Sequence, residues 1–188
     1  MHLTTASVAT LQQYFPFAVE PAVGVNRLIL ALLTDGLREE VVPAAPGDDA
    51  TTRLVLSVHE DLAPYKVAVL PLLKREPMMK MASDMHSALL KHTSATTDVT
   101  PSIGKRYRRQ DESGTPLCIT IDQQSTSDGT VTVRCRDTMQ QFRLLADEVL
   151  SLAAVGAFKR SLLLPRFAAA MQQRPAQLST ELRTHSDM

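Results

Sequence analysis

The stretch Gly104-Lys-Arg-Tyr-Arg-Arg-Gln-Asp-Glu-Ser-Gly-Thr-Pro116 runs into Leu117-Cys-Ile-Thr-Ile121 and, past Asp128-Gly129, into Thr130-Val-Thr-Val133. Lys105, Arg106, Arg108 and Arg109 crowd one short predicted helix, and Gly114 supplies a terminating residue that tolerates the left-handed conformation. Thr115-Pro116 then feeds a strand. Asp128-Gly129 reads as the turn of a hairpin between two β-rich runs. A basic helix beside a strand pair is therefore expected at the centre of the fold.

Outward from that segment, the chain alternates. Lys66-Val-Ala-Val-Leu-Pro71 is a short continuous apolar run, as in a strand covered on both faces. Met78, Met81, Ala82, Met85, Leu89 and Leu90 recur at helical spacing and predict a core-facing stripe. A second strand is expected from Ala95 to Val99, and a closing helix from about Met139 or Asp147 onward. The resulting β-α-β-α-β-β-α order predicts an α/β fold. Upstream, a strand followed by a buried helix is expected over Phe15 to Leu33. Pro43 to Thr52 reads as a breaker-rich linker, and in Arg53 to His59 the alternation places Leu54, Leu56 and Val58 on one buried face. Ser151 to Arg174 looks helical, with apolar Leu162, Leu163, Leu164 and Phe167 free to dock on the domain or on a partner. Gln177 to Met188 is polar and would ordinarily fray.

The 188 residues are 44% apolar, enough for one buried core, and 20 basic residues balance 20 acidic ones. Nucleic-acid binding would have to come from local patches. No run approaches the roughly 18 apolar residues of a membrane span. Cys118 and Cys135 fall on neighbouring predicted strands; they read as buried small hydrophobes in a reducing compartment, with a cross-hairpin disulfide as the alternative. His59, His86 and His92 show no metal-ligand clustering, and no Ser-His-Asp set, phosphate loop or zinc pattern is present. No cofactor, metal or small-molecule substrate is expected.

In wording and order, Ser102-Ile-Gly-Lys-Arg-Tyr107 through Arg136-Asp-Thr138 resembles the C-terminal anticodon-binding domain of class II glycyl-tRNA synthetases. Leu62-Ala-Pro-Tyr-Lys-Val-Ala-Val-Leu-Pro-Leu72 resembles the opening of that domain. Val19-Glu-Pro-Ala-Val-Gly-Val-Asn-Arg27 resembles the family's third signature motif. The likeness spans about Phe15 to Glu148. It implies a mixed five-stranded sheet flanked by helices, with an N-terminal strand-helix remnant of the catalytic domain (residues 1–62), an anticodon-binding-like domain (63–150) and a helical C-terminal extension with a polar tail (151–188).

The resemblance also implies roles. Arg27 corresponds to the arginine that contacts ATP phosphates and Glu20 to the glutamate that holds the amino group, so the pair is expected to be a vestigial site. The domain grips the anticodon stem and loop, which makes Lys105, Arg106, Arg108, Arg109, Arg134 and Arg136 candidate RNA contacts, Gln110 a candidate polar reader and Tyr107 a candidate stacking face. Three departures stand out: Ala22 replaces the family serine, Val99-Thr100-Pro101 replaces acidic and glycine positions, and Cys135 replaces an aspartate. The segment before Glu20 is too short for the first two class II motifs, so no aminoacylation by this chain is expected. We therefore expect a non-catalytic relative that binds rRNA or tRNA and proteins in a larger assembly, such as a mitochondrial ribosome or its assembly intermediate. The alternatives are an accessory subunit of an organellar DNA polymerase, whose family reuses this scaffold, and the tRNA-binding subunit of a split glycyl enzyme. Met1 to Val19 lacks acidic residues and carries Ser and Thr but no Arg or Lys, a weak organelle address beside a cytoplasmic default.

Overall fold

The five-residue run Val67–Pro71 (β5) is buried at every position and forms the middle of the sheet. A computed structural model describes residues 5–6, 13–14, 17–42, 51–100 and 102–165. In chain order the elements are β1 (Thr5–Ala6), β2 (Gln13–Tyr14), α1 (Val25–Gly36), β3 (Leu37–Val42), β4 (Thr51–Leu56), β5, α2 (Glu76–Leu89), β6 (Ala95–Thr97) and α3 (Ile103–Glu112). They continue with β7 (Leu117–Ile121), α4 (Gln123–Asp128), β8 (Thr130–Cys135), β9 (Gln141–Leu145) and α5 (Ala146–Ala154).

The central sheet is mixed and five-stranded, in the order β6-β5-β7-β8-β9, as the resemblance implies. β5 runs parallel to β6 and β7, whereas β8 is antiparallel to both β7 and β9. From β5 the chain crosses outward to β6, then back past β5 to β7. Right-handed crossovers in opposite directions put α2 and α3 on opposite faces of the sheet. The alternation of β5 agrees: Val67 and Val69 pack with Met78, Met85 and Leu89 of α2, while Ala68 and Leu70 pack with Cys118, Ile103 and Tyr107 on the α3 side.

Several expectations need correction. β7 and β8 pair as expected, but a helix separates them, not a two-residue turn. The Asp122 carboxylate accepts from Ser125 N at 2.9 Å and Ser125 Oγ accepts from Asp122 N at 3.0 Å, a capping box that starts α4. Gly129, at φ 67°, ends it. The chain after Thr138 is strand β9 before it is a helix, because Phe142 and Leu144 fit the last free edge of the sheet beside β8. Upstream, residues 17–24 form no strand, and α1 is not buried: Leu28, Ile29, Leu30 and Leu33 are 45–67% exposed. It leans on a separate two-stranded hairpin, β3 with β4. In β4 the buried residues are Arg53 and Val55, the face opposite to that expected, and Leu54 is exposed.

The open question of the C-terminal extension is answered for its described part. Phe158 and Leu163 join the core. Buried Glu60 accepts hydrogen bonds from Ser161 N and Oγ, Lys159 pairs with Asp61 at 2.8 Å, and Arg160 pairs with Asp137. These ties dock it on the domain. The expected linker before Thr51, most of the N-terminal address, Pro101, the helical stretch beyond 165 and the polar tail lie outside the described residues.

Candidate nucleic-acid interface

Ser102 occupies the N-cap of α3, and the helix ends at Ser113 before Gly114 at φ 80°. A Cβ on Gly114 would sit 3.2 Å from the Leu56 carbonyl oxygen, so glycine there serves both the left-handed turn and the close approach of β4. Along α3 the residues divide into two faces. Arg106, Gln110 and Asp111 point inward and are buried; Lys105, Arg108 and Glu112 point outward and are exposed.

The inward residues bond to the protein itself. Arg106 donates from Nη1 to Pro71 O at 2.5 Å and Asp98 O at 3.2 Å, and from Nη2 to Leu72 O at 3.1 Å, tying α3 to the carboxyl end of β5. Burial lowers its pKa, yet an arginine stays cationic at any physiological pH. Gln110 accepts from Thr115 Oγ1 at 2.9 Å. Asp111, 1% exposed, takes a bidentate pair from Arg134 at 2.8 and 3.0 Å and a further bond from Arg53 at 3.0 Å. Burial opposes the charge on Arg134, but Asp111 outweighs it and raises the guanidinium's pKa. Arg136, also buried, donates to Gly114 O at 2.8 Å, Val58 O at 3.2 Å and Asp137 at 2.6 Å.

Tyr107 stacks on a cation of the protein instead of a free base. Its ring lies under the Arg134 guanidinium, 4.7 Å from centroid to Cζ, and its hydroxyl shares a 2.5 Å hydrogen bond with Thr120 Oγ1. Burial raises the phenol's pKa. Arg109 is intermediate: it pairs with Asp98 at 2.5 Å and donates to the Thr100 carbonyl, leaving its side chain 41% exposed. Burial of Asp98 is outweighed by the Thr100 amide and Arg109, which hold its carboxyl below the usual range.

Of the seven residues read from the sequence as RNA contacts, Lys105 and Arg108 face solvent and Arg109 does so in part. Arg106, Gln110, Arg134 and Arg136 lie inside. The sequence reading passed over Lys74 and Arg75, which are exposed where β5 opens toward α2. Because Arg106 bonds Leu72 O, the start of α3 and residues 72–75 share the carboxyl end of the parallel strands, where open α/β sheets bind ligands. The signal for them was two cations directly after a buried parallel strand. Glu20 and Arg27 are both exposed and make no side-chain hydrogen bond or ion pair among the described residues.

Other candidates resolve from geometry. Leu117 opposes Cys135 and Cys118 opposes Arg134, so the two thiols project from opposite faces of the sheet and no disulfide joins them. Burial pushes the Cys118 thiol up to about 12. Among the described residues no cluster of His, Cys, Asp and Glu could hold a metal ion, and no helix is long and apolar enough to cross a membrane.

Comparison with known proteins adds the family. The model described as "Anticodon binding domain" matches residues 66–154. The chain is 49% identical over 140 residues to a glycine–tRNA ligase of Geobacillus kaustophilus, covering 74% of this chain and 29% of that protein. Residues 66–154 are a class II synthetase-type anticodon-binding region. A glycine–tRNA ligase of Clostridium perfringens is 42% identical over 150 residues, 80% of this chain and 32% of its own. The chain thus spans about three-tenths of the length of these relatives. A prolyl-tRNA synthetase structure from Cryptosporidium parvum matches 63% of this chain and 27% of its own at a TM-score of 0.52 and 21% identity, a likeness of fold. Within the anticodon-binding region, Lys105 and Arg108 are exposed on the outer side of α3 and Lys74 and Arg75 at the carboxyl end of β5, with further exposed cations at Lys80, Lys91 and Arg143, while those of β8 are internal.

Proposed function

We propose that this chain binds tRNA through its anticodon-binding region, with Lys74, Arg75, Lys105 and Arg108 holding backbone phosphates. The observation that carries this reading is the 49% identity to a glycine–tRNA ligase over 140 residues, joined to exposed cations at the carboxyl end of the parallel strands. Flexible, solvated lysine and arginine suit phosphate clamping, whereas the inward arginines are buried and spend their guanidinium groups on carbonyls and carboxylates of the protein. The chain is the binding part of a glycyl-tRNA synthetase-like protein and not itself a catalyst. In support, Glu20 and Arg27 face solvent without the convergent partners that adenylate formation needs.

Binding of a glycine-tRNA transcript measured against salt tests the reading. Changing Lys74, Arg75 and Lys105 together to Ala lowers affinity and reduces the slope of log K against log salt by about 2–3, at about 0.7–0.9 per lost phosphate contact. An unchanged slope rejects this surface, and absence of binding by the wild type rejects the function. Glycine-dependent pyrophosphate exchange by the chain alone would overturn the non-catalytic part. The wider setting is read by what co-purifies with the native protein: rRNA for a mitochondrial ribosomal assembly, a polymerase for an accessory subunit, or a catalytic chain for a split enzyme.

A further inference from the structure

Arg53 lies on β4, upstream of residues 66–154, in a hairpin that pairs with none of the five central strands. It is nevertheless 5% exposed. Its Nη1 donates to Asp111 Oδ2 at 3.0 Å and to the Arg136 carbonyl at 2.9 Å, and its Nε and Nη2 donate to Glu40 Oε2 at 3.0 and 2.6 Å. One buried carboxylate on α3 therefore sits between a guanidinium from the hairpin and another from β8. Neighbouring contacts repeat the link: Arg136 Nη2 donates to Val58 O, and Gly114 lies against Leu56 and Val58.

We propose that Arg53 is a positioning residue for α3, fixing the last turn of the helix through Asp111 so that the β3–β4 hairpin and the RNA-facing helix move as one body. The physical argument lies in the two anchors of α3. Arg106 holds its first half to Pro71 and Leu72, inside the anticodon-binding region; Asp111 holds its last turn, and Arg53 is the partner that comes from outside that region. A charge-assisted fork is directional, so it fixes orientation as well as distance. With Arg53 removed, Asp111 keeps Arg134 but loses its tie to the hairpin, and α3 pivots about the Arg106 anchor. The functional unit accordingly begins near residue 37, before the boundary of the family match. The consequence for RNA rests on the function proposed above; the coupling itself does not.

Hydrogen-exchange mass spectrometry on the full chain without RNA tests the coupling. Arg53→Met speeds exchange about tenfold in both residues 51–58 and 107–113, with 67–71 and 117–121 unchanged, and Arg53→Lys recovers only part of the protection. Faster exchange in 51–58 alone overturns the proposal. Should R53M fail to fold, R53K reads the same windows. tRNA binding is the second measurement: R53M weakens it several-fold at an unchanged salt slope, because the phosphate-facing cations remain. A wild type that binds no tRNA removes the proposed function and leaves the exchange result standing.

Discussion

Helix α2 lays Met78, Ala82, Met85 and Leu89 on one face of the sheet, whereas α3 lays Arg106, Gln110 and Asp111 on the other. Both use helical spacing to cover the same strands. On α2 the force is removal of apolar area from water, which is non-directional and tolerates exchange of shapes. On α3 burial of charge is favourable only because each donor meets a particular carbonyl or carboxylate. One side of the domain is held by volume, the other by connectivity.

Volume-conserving substitutions separate these two regimes most strongly. Asp111→Asn keeps the shape but strips the countercharge from buried Arg134 and one of the two that Arg53 has, and we expect a loss of about 3–5 kcal/mol. Met85→Leu on α2, equally conservative in size, costs less than about 1.5 kcal/mol. Urea denaturation of the two variants reads the difference, and equal losses would erase the distinction between the faces. A smaller effect tests the aromatic at the junction: Tyr107→Phe removes the bond to Thr120 and costs about 1 kcal/mol in the same assay.

Acid provides the mildest test, because it touches only one side. Asp98 is held below the usual carboxylate range against burial by the Thr100 amide and Arg109; Asp122 is held well below it, chiefly by Arg143. A carboxyl whose folded value is depressed stabilises the fold above its unfolded value, near pH 4, and that contribution fades as pH falls toward the folded value. The pairs are solvent-screened, so each is worth a few tenths of a kcal/mol. The urea midpoint should stay level from pH 5 to 8 and fall below about pH 4, with a shallower fall in Asp98→Asn. An identical acid limb in that variant would show that the α3 anchor at Asp98 carries no stability.

The same contrast explains what could be read in advance. β5 and α2 were legible because apolar runs and stripes record burial directly. Strand β9 was not, since Gln141-Phe-Arg-Leu-Leu145 is short and borders Ala146, where a helix does begin. Helix α4 was hidden because Gln123-Gln-Ser-Thr-Ser-Asp128 has no apolar periodicity and depends on its cap. In β4 the alternation of leucines pointed one way and the strand turned the other, since its inner face meets the carboxylate of α3.

By itself the sequence determined the α/β alternation, the buried central strand, the glycine that ends α3 and the family likeness across its middle. It also placed a cluster of cations on one helix. Tertiary structure alone decided which of them face water. A charged residue carries no mark of its partner, and the partners of Asp111 lie 23 and 58 positions away, on β8 and on β4. Only when β8 and the β3–β4 hairpin close on α3 do Arg106 and Arg134 become internal ties, with Lys105 and Arg108 left facing water.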